Sequence, residues 1–187
     1  MSKLSLFVFV FLVCQLSAQS TWSADKAHAK IGFTVTHLLV SEVDGTFKNF
    51  DAKITASQND LSDAKFEATI DATSATTDNE MRDGHLKKPD MFDTEKFPTI
   101  TFKSTGISKA GDNRYTLKGN LSMKGVTKEV SLDMLVMGFT TNRQGKKVAG
   151  VKATGAIKRT DFGVGAMPSG VVAEDVVLRA VGEFVKE

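Results

Sequence analysis

Apolar residues recur at every second position along most of this chain, and that period decides what it can fold into. Ile31, Phe33 and Val35 alternate with Gly32, Thr34 and Thr36. Phe66, Ala68 and Ile70 alternate with Glu67, Thr69 and Asp71. The same pattern runs through Ile100 and Phe102, through Leu117, Gly119 and Leu121, and through Val130, Leu132, Met134 and Val136. A period of two belongs to strands with one face in an apolar interior and the other in water. Turn chemistry separates the runs at Asn59-Asp60, Gly111-Asp112-Asn113, Lys124-Gly125 and residues 142–145. The spacing predicts about eight strands, as in a sandwich or barrel. The last runs from Val172 to Val185. Glycines inside the strands, at 32, 119 and 155, mark bends or close backbone approach.

One segment breaks the period. Thr77-Asp78-Asn79-Glu80 has the form of a capping box. A short helix is predicted over Met81 to Lys88, weakened by Gly84 and ended by Pro89. Asp90 to Asp93 then forms one more turn before a strand at Pro98. Such an insertion is placed to cover one end of the barrel.

The first residues read as a leader. Lys3 supplies a positive start, Leu4 to Leu16 is apolar, and the small residues Ser17 and Ala18 follow. This is the layout of a secretory signal peptide cleaved after Ala18. The apolar run is shorter than the roughly 20 residues a spanning helix needs. The expected organisation is therefore a signal peptide at 1–18 and one domain at 19–187. The expected location is periplasmic or secreted, without stable membrane insertion after cleavage. The formal charge of +2 falls to +1 because Lys3 is the only charge in the leader. A near-neutral domain lacks the basic field that nucleic acid requires, so no nucleic-acid partner is expected. Cys14 is the only cysteine. Residues 19–187 thus have no disulfide, thiol nucleophile or thiolate ligand.

A small eight-stranded barrel is either filled by its own side chains or holds one small ligand. The chain has 13 Phe against one Trp and one Tyr, which gives apolar area without a polar handle. Seven Met add adaptable surface. Phe33, Val35, Phe47, Phe66, Ile70, Phe102, Leu121 and Met134 are the candidate lining of an apolar cavity. Apolar alternation is equally satisfied by a packed core. A solid barrel acting through its rim or a dimer face therefore stands beside the cavity reading.

Catalytic and metal signals are sparse. His28 and His37, nine residues apart on one strand, would lie about 30 Å apart if the strand is unbroken. No paired-histidine metal spacing and no nucleophile-elbow motif occur. No metal, cofactor or catalytic residue is assigned. A lipid-modifying enzyme working through His37, His85 or Asp83 remains the other alternative. Asp161-Phe162-Gly163 matches a kinase motif whose companions are missing. The glycine-rich stretch at 163–170 reads as a mobile rim loop. Arg82 and His85, in the polar cluster of the insertion, are candidates for a polar mouth; an arginine fork suits phosphate or carboxylate oxygens. A solvated helix face explains them equally well.

Several short motifs, taken in order, resemble the YceI-like family, secreted lipocalin-like proteins that bind polyisoprenoid lipids. They begin with His28, Ile31-Gly32-Phe33 and His37-Leu38, then Gly45-Thr46-Phe47. Arg82 to Leu86, Met91-Phe92-Asp93 and Phe97 to Phe102 form the most distinctive block. Gly119-Asn120-Leu121, Lys124 to Lys128 and Arg159 to Gly163 complete the series. The resemblance covers about Thr21 to Glu187. It implies an all-β, lipocalin-like antiparallel barrel of eight strands, with a short helical insertion and a long apolar cavity. It further implies an exported carrier of a polyprenyl chain, quinone tail or similar amphiphile, and a fold in which homodimers are common.

Overall fold

A computed structural model describes residues 19–187. The leader expected at 1–18 lies outside the described residues. The period-two segments are strands, and inward positions are the buried ones. Along Arg114–Met123 the buried residues are Tyr115, Leu117, Gly119, Leu121 and Met123, every second one. In chain order the strands are β1 (Ser20–His37), β2 (Ser41–Phe47), β3 (Phe50–Ala56), β4 (Lys65–Asp71) and β5 (Ala75–Thr76). After helix α1 (Glu80–Leu86) come β6 (Thr99–Gly111), β7 (Arg114–Met123), β8 (Val126–Thr141), β9 (Lys147–Lys158) and β10 (Val172–Lys186).

The pairing is antiparallel throughout and closes on itself, because β10 pairs with β9 on one side and β1 on the other. β2 and β3 act as one wall strand broken at Lys48-Asn49: β2 pairs with the second half of β1 and β3 with its first residues. β4 and β5 form another, interrupted by a 3-10 turn at Ala72–Ser74. With each broken strand counted once, the wall is an eight-stranded barrel, as expected. Closure removes the sheet edges that would otherwise invite pairing with other chains.

The two ends of the barrel differ. The β1–β2 hairpin, the segment 72–98, the β7–β8 turn and the segment 159–171 all meet at one end, here the lidded end. The loop 57–64 and the turns at 112–113 and 142–146 form the base. The base half is solid. Trp22, Ile54, Leu61, Tyr115, Met134 and Ala149 pack together there, with Ile54 and Leu61 0 % exposed.

Helix α1 starts differently from the capping-box reading. Asn79, not Thr77, is the N-cap, and its side chain accepts from the Arg82 N–H at 3.0 Å. Asp78 takes a positive φ of 56°, so the chain turns before the helix instead of at Thr77. The helix is Glu80–Leu86 and ends short of the predicted Lys88. Thr77 is used otherwise: its hydroxyl donates to Asp83 Oδ1 at 2.6 Å and accepts from Arg82 Nε at 2.7 Å.

Candidate functional site

The lidded half of the barrel is hollow because its inward positions combine rings with very small residues. At mid-height Ala29, Ala52, Ala68, Ala153, Ala180 and Gly182 face the interior and leave it unfilled. Above them the rings of Phe33, Phe47 and Phe92 stack at angles, with centroids 5.8, 6.0 and 6.4 Å apart. The planes are tilted or edge-on to one another, at 53°, 61° and 70°, close to the edge-to-face geometry that aromatic rings favour over a face-to-face sandwich. Two glycines make room for rings against the wall: a side chain at Gly45 would strike Phe33, and one at Gly119 would strike Phe102. The resulting cavity has a volume of about 230 Å³. Apolar cavities of about 150 Å³ already stay dry and take up apolar molecules, so this one is large enough for a ligand. Lys30, Lys53, Glu67 and Arg179 border it but occupy exposed, outward positions of their strands.

The lid is built from two segments. Leu86, Met91 and Phe92 come from the insertion, and Val164 from the segment after β9; all four are buried and line the cavity. Arg159, only 5 % exposed, joins the lid segment to the wall. Its Nε donates to Ala173 O at 3.0 Å. Nη1 donates to Val164 O at 3.0 Å and to Gly165 O. Nη2 donates to Met167 O at 2.7 Å and Val172 O at 2.9 Å. All five guanidinium donors are thus used on backbone carbonyls. Gly165 permits this approach: its φ is 72°, and a Cβ there would lie 2.9 Å from Nη1, too close to be accommodated. Five carbonyl dipoles solvate the buried charge, so Arg159 staples the lid and has no donor left for a ligand.

Of the candidate lining residues, Phe33, Val35, Phe47, Phe66, Ile70, Phe102 and Leu121 all border the cavity. Met134 does not. It faces inward, but at the level of the solid base, where it packs with Trp22 and Ile54. Arg82 and His85 do not form a mouth, since neither borders the cavity. The Arg82 guanidinium is turned back onto Thr77, with Nη2 donating to Thr77 O at 3.0 Å. His85 sits 3.0 Å from the Asp90 carboxylate on the outer surface.

None of the residues weighed as an enzyme's machinery borders the cavity. Asp83 is consumed locally, accepting from the Thr76 hydroxyl at 2.7 Å and from the Thr77 N–H at 2.7 Å. Burial opposes its ionisation, yet the hydrogen bonds from Thr77 and Thr76 outweigh it and hold the carboxyl below its ordinary range. His37 closes β1 at the hairpin, and neither it nor Asp83 borders the cavity.

The strand carrying His28 is not unbroken. Residues 25–28 bulge out where Ala24 and Ala29 pair with Phe184 and Gly182, only two residues apart on β10. The bulge brings His28 Nδ1 to 2.9 Å from Asp25 and 4.0 Å from Glu183 on the outer face. The hydrogen bond to the Asp25 carboxylate, with the charges of Asp25 and Glu183, raises the His28 pKa.

Arg159 and the small inward residues were not among the candidates. The signal for Arg159 was a lone inward basic residue just before a glycine-rich stretch, whose bare carbonyls can converge on a cation. The signal for the void was alanine or glycine recurring at inward positions of neighbouring strands.

The geometry has close relatives. Residues 22–184 match the YceI-like domain. A UPF0312 protein of Staphylococcus aureus (strain MSSA476) is 36 % identical over 171 residues, covering 88 % of this chain and 97 % of its own length. The structure of a YceI protein of Campylobacter jejuni is 32 % identical, with a TM-score of 0.74 over 87 % of this chain and 96 % of that one. BcnA of Burkholderia cenocepacia superposes with a TM-score of 0.77 at 25 % identity, over 87 % of this chain and 98 % of that one. A polyisoprenoid binding domain from Saccharophagus degradans shares the fold at 14 % identity and a TM-score of 0.65, over 89 % and 98 % of the two chains. A barrel closed by eight wall strands, hollow under its lid and matched along nearly all its described length, places this chain in the YceI-like domain family.

Proposed function

We propose that the protein binds the apolar chain of a long amphiphile, a polyisoprenoid, quinone or similar lipid, and carries it without acting on it. The observation that carries this reading is an apolar cavity whose one buried charge, Arg159, is already fully hydrogen-bonded. An interior of that kind rewards burial of hydrocarbon, at about 0.8 kcal/mol per CH₂, and offers no partner to a buried polar group. The absence of His37, His85 and Asp83 from the cavity lining supports carriage over catalysis. The polyisoprenoid binding domain that shares the fold is consistent with this ligand class. The protein is read as exported, with its leader removed after Ala18 and the lipid as its partner.

The solid-barrel alternative describes the base but not the lidded half. Native mass spectrometry of the exported protein, purified without detergent, tests the proposal. A discrete adduct that chloroform removes and that fragments as a polyprenyl chain is the expected result. A bare mass, unchanged after incubation with quinones and prenyl phosphates, would sink it.

A further inference from the structure

Both ends of the cavity are closed. The base is filled by Trp22, Ile54, Leu61 and Met134. The lid is buried and held by the five Arg159 hydrogen bonds. The wall is weakest elsewhere. β1 pairs with β3 over Ser20–Ser23 and with β2 over Ile31–His37, so its residues 24–30 have no rung on that side. Residues 25–28 also have none on the β10 side. Facing them, Phe50, Asp51 and Ala52 pair with β4 but not with β1.

The cavity reaches this seam from within. Ala24, Ala29 and Lys30 border it on one side of the seam, and Phe50, Ala52 and Lys53 on the other. A second, polar groove lies outside, lined by Lys26, Lys48, Asn49, Asp51, Thr69 and Asp71 among others. It shares Phe50 and Ile70 with the cavity, so polar surface and apolar interior meet at the same two side chains. Among the described residues, a single exposed ion pair crosses the seam, Lys26 to Asp51 at 2.7 Å.

We propose that amphiphiles pass into and out of the cavity sideways, through the seam between β1 and β3, with the polar end left in the outer groove. The proposal rests on the lipid-binding reading above. Parting the seam breaks no ladder rung and only one exposed ion pair, an interaction of small strength. Lifting the lid breaks five hydrogen bonds to a buried charge, each stronger than a neutral one. The seam is therefore the easier route. The Asp25–His28 bulge supplies slack, since its hydrogen bonds are local: Asp25 Oδ1 accepts from the Ala27 N–H, and Oδ2 meets His28.

Stopped-flow fluorescence with 11-(dansylamino)undecanoic acid tests this on the exported protein. Lys26→Glu turns the ion pair into a repulsion and should speed both uptake and release by about fivefold, the scale on which exposed pairs act. Lys128→Glu breaks a comparable pair, to Asp161 at 3.2 Å, at the lidded end and should leave both rates unchanged. A Lys26→Cys/Asp51→Cys variant bridged by a bismaleimide should slow both rates at least tenfold relative to its unbridged form; residues 19–187 hold no competing cysteine. Bridged protein that loads as fast as unbridged, or rates that respond to Lys128→Glu and not to Lys26→Glu, overturns the seam while leaving lipid binding in place. Wild-type protein that takes up neither this probe nor a prenyl phosphate overturns the lipid-binding reading, and the seam with it.

Discussion

Replacing Arg159 by methionine removes the staple while keeping a long apolar stem. Five backbone carbonyls, those of Val164, Gly165, Met167, Val172 and Ala173, then lose their donor together. A buried group left unpaired costs about 1–3 kcal/mol, so five independent losses would match the whole stability of a typical domain. They are not independent. The segment 163–171 can swing outward and give several carbonyls to water, and the cost of burying the charge itself disappears. The net loss should resemble that of breaking a buried ionic network from one side, about 3–5 kcal/mol. With a urea dependence of about 1–3 kcal/mol per molar, the unfolding midpoint should fall by roughly 2 M. Arg159→Lys keeps the charge but has three donors in place of five, so it should recover less than half of the loss. Urea unfolding followed by circular dichroism makes both measurements. A midpoint for Arg159→Met within the equivalent of about 1 kcal/mol of the parent, or full recovery by lysine, would refute the staple.

Further substitutions test the rest of the site. Ala153→Leu should fill mid-cavity space with stability kept within about 1 kcal/mol, while dansyl-fatty-acid affinity falls at least tenfold; undiminished binding would mean the ligand sits elsewhere. Phe102→Glu should abolish binding in protein that remains folded by circular dichroism, because a carboxylate there faces the apolar interior. The Leu38 and Leu39 backbones both have positive φ, 51° and 59°, in the β1–β2 turn, where Asn-Gly is the favoured pair. Leu38→Asn/Leu39→Gly should therefore raise stability by about 1–2 kcal/mol, and an unchanged melting temperature would count against strain in that turn. Asp83 has a folded pKa below its unfolded one, so its contribution is present above the unfolded value and lost as pH falls through the folded value. The stability gap between the parent and Asp83→Asn should accordingly be full at pH 7 and shrink below about pH 4; a gap that persists at pH 2 would show that ionisation of Asp83 is not its source.

Side-chain alternation sorts a strand into inner and outer faces, which is why the barrel and seven of the eight candidate lining residues were legible in the sequence. The alternation carries no information about height along the barrel. Met134 shows this: it faces inward like Leu121, yet it lies at the packed base. Height depends on the stagger between strands, set by the breaks at Lys48-Asn49 and Ala72–Ser74, and neither break has a strong local signature. Arg82 and His85 were misplaced because cap geometry decides where a short helix points its polar face. Asn79 competed with Thr77 for the cap, and Thr77 was free to bind Arg82 instead. Arg159 was hidden for a different reason. Its five partners are backbone carbonyls, which every residue possesses, so the glycine-rich stretch that follows it was the one hint of its role.

The hollow half of the barrel also has a mechanical consequence. Unfolding under hydrostatic pressure is driven by elimination of internal voids, and about 230 Å³ of empty, apolar space is large beside the roughly 20–100 mL/mol by which proteins usually shrink on unfolding. The unliganded protein should be soft to compression, with the deformation concentrated beneath the lid and the base nearly incompressible. A hydrocarbon chain in the cavity takes up that space with closely packed atoms and stiffens the barrel. Resistance to pressure would then register occupancy directly, whatever the chemical identity of the chain that fills it.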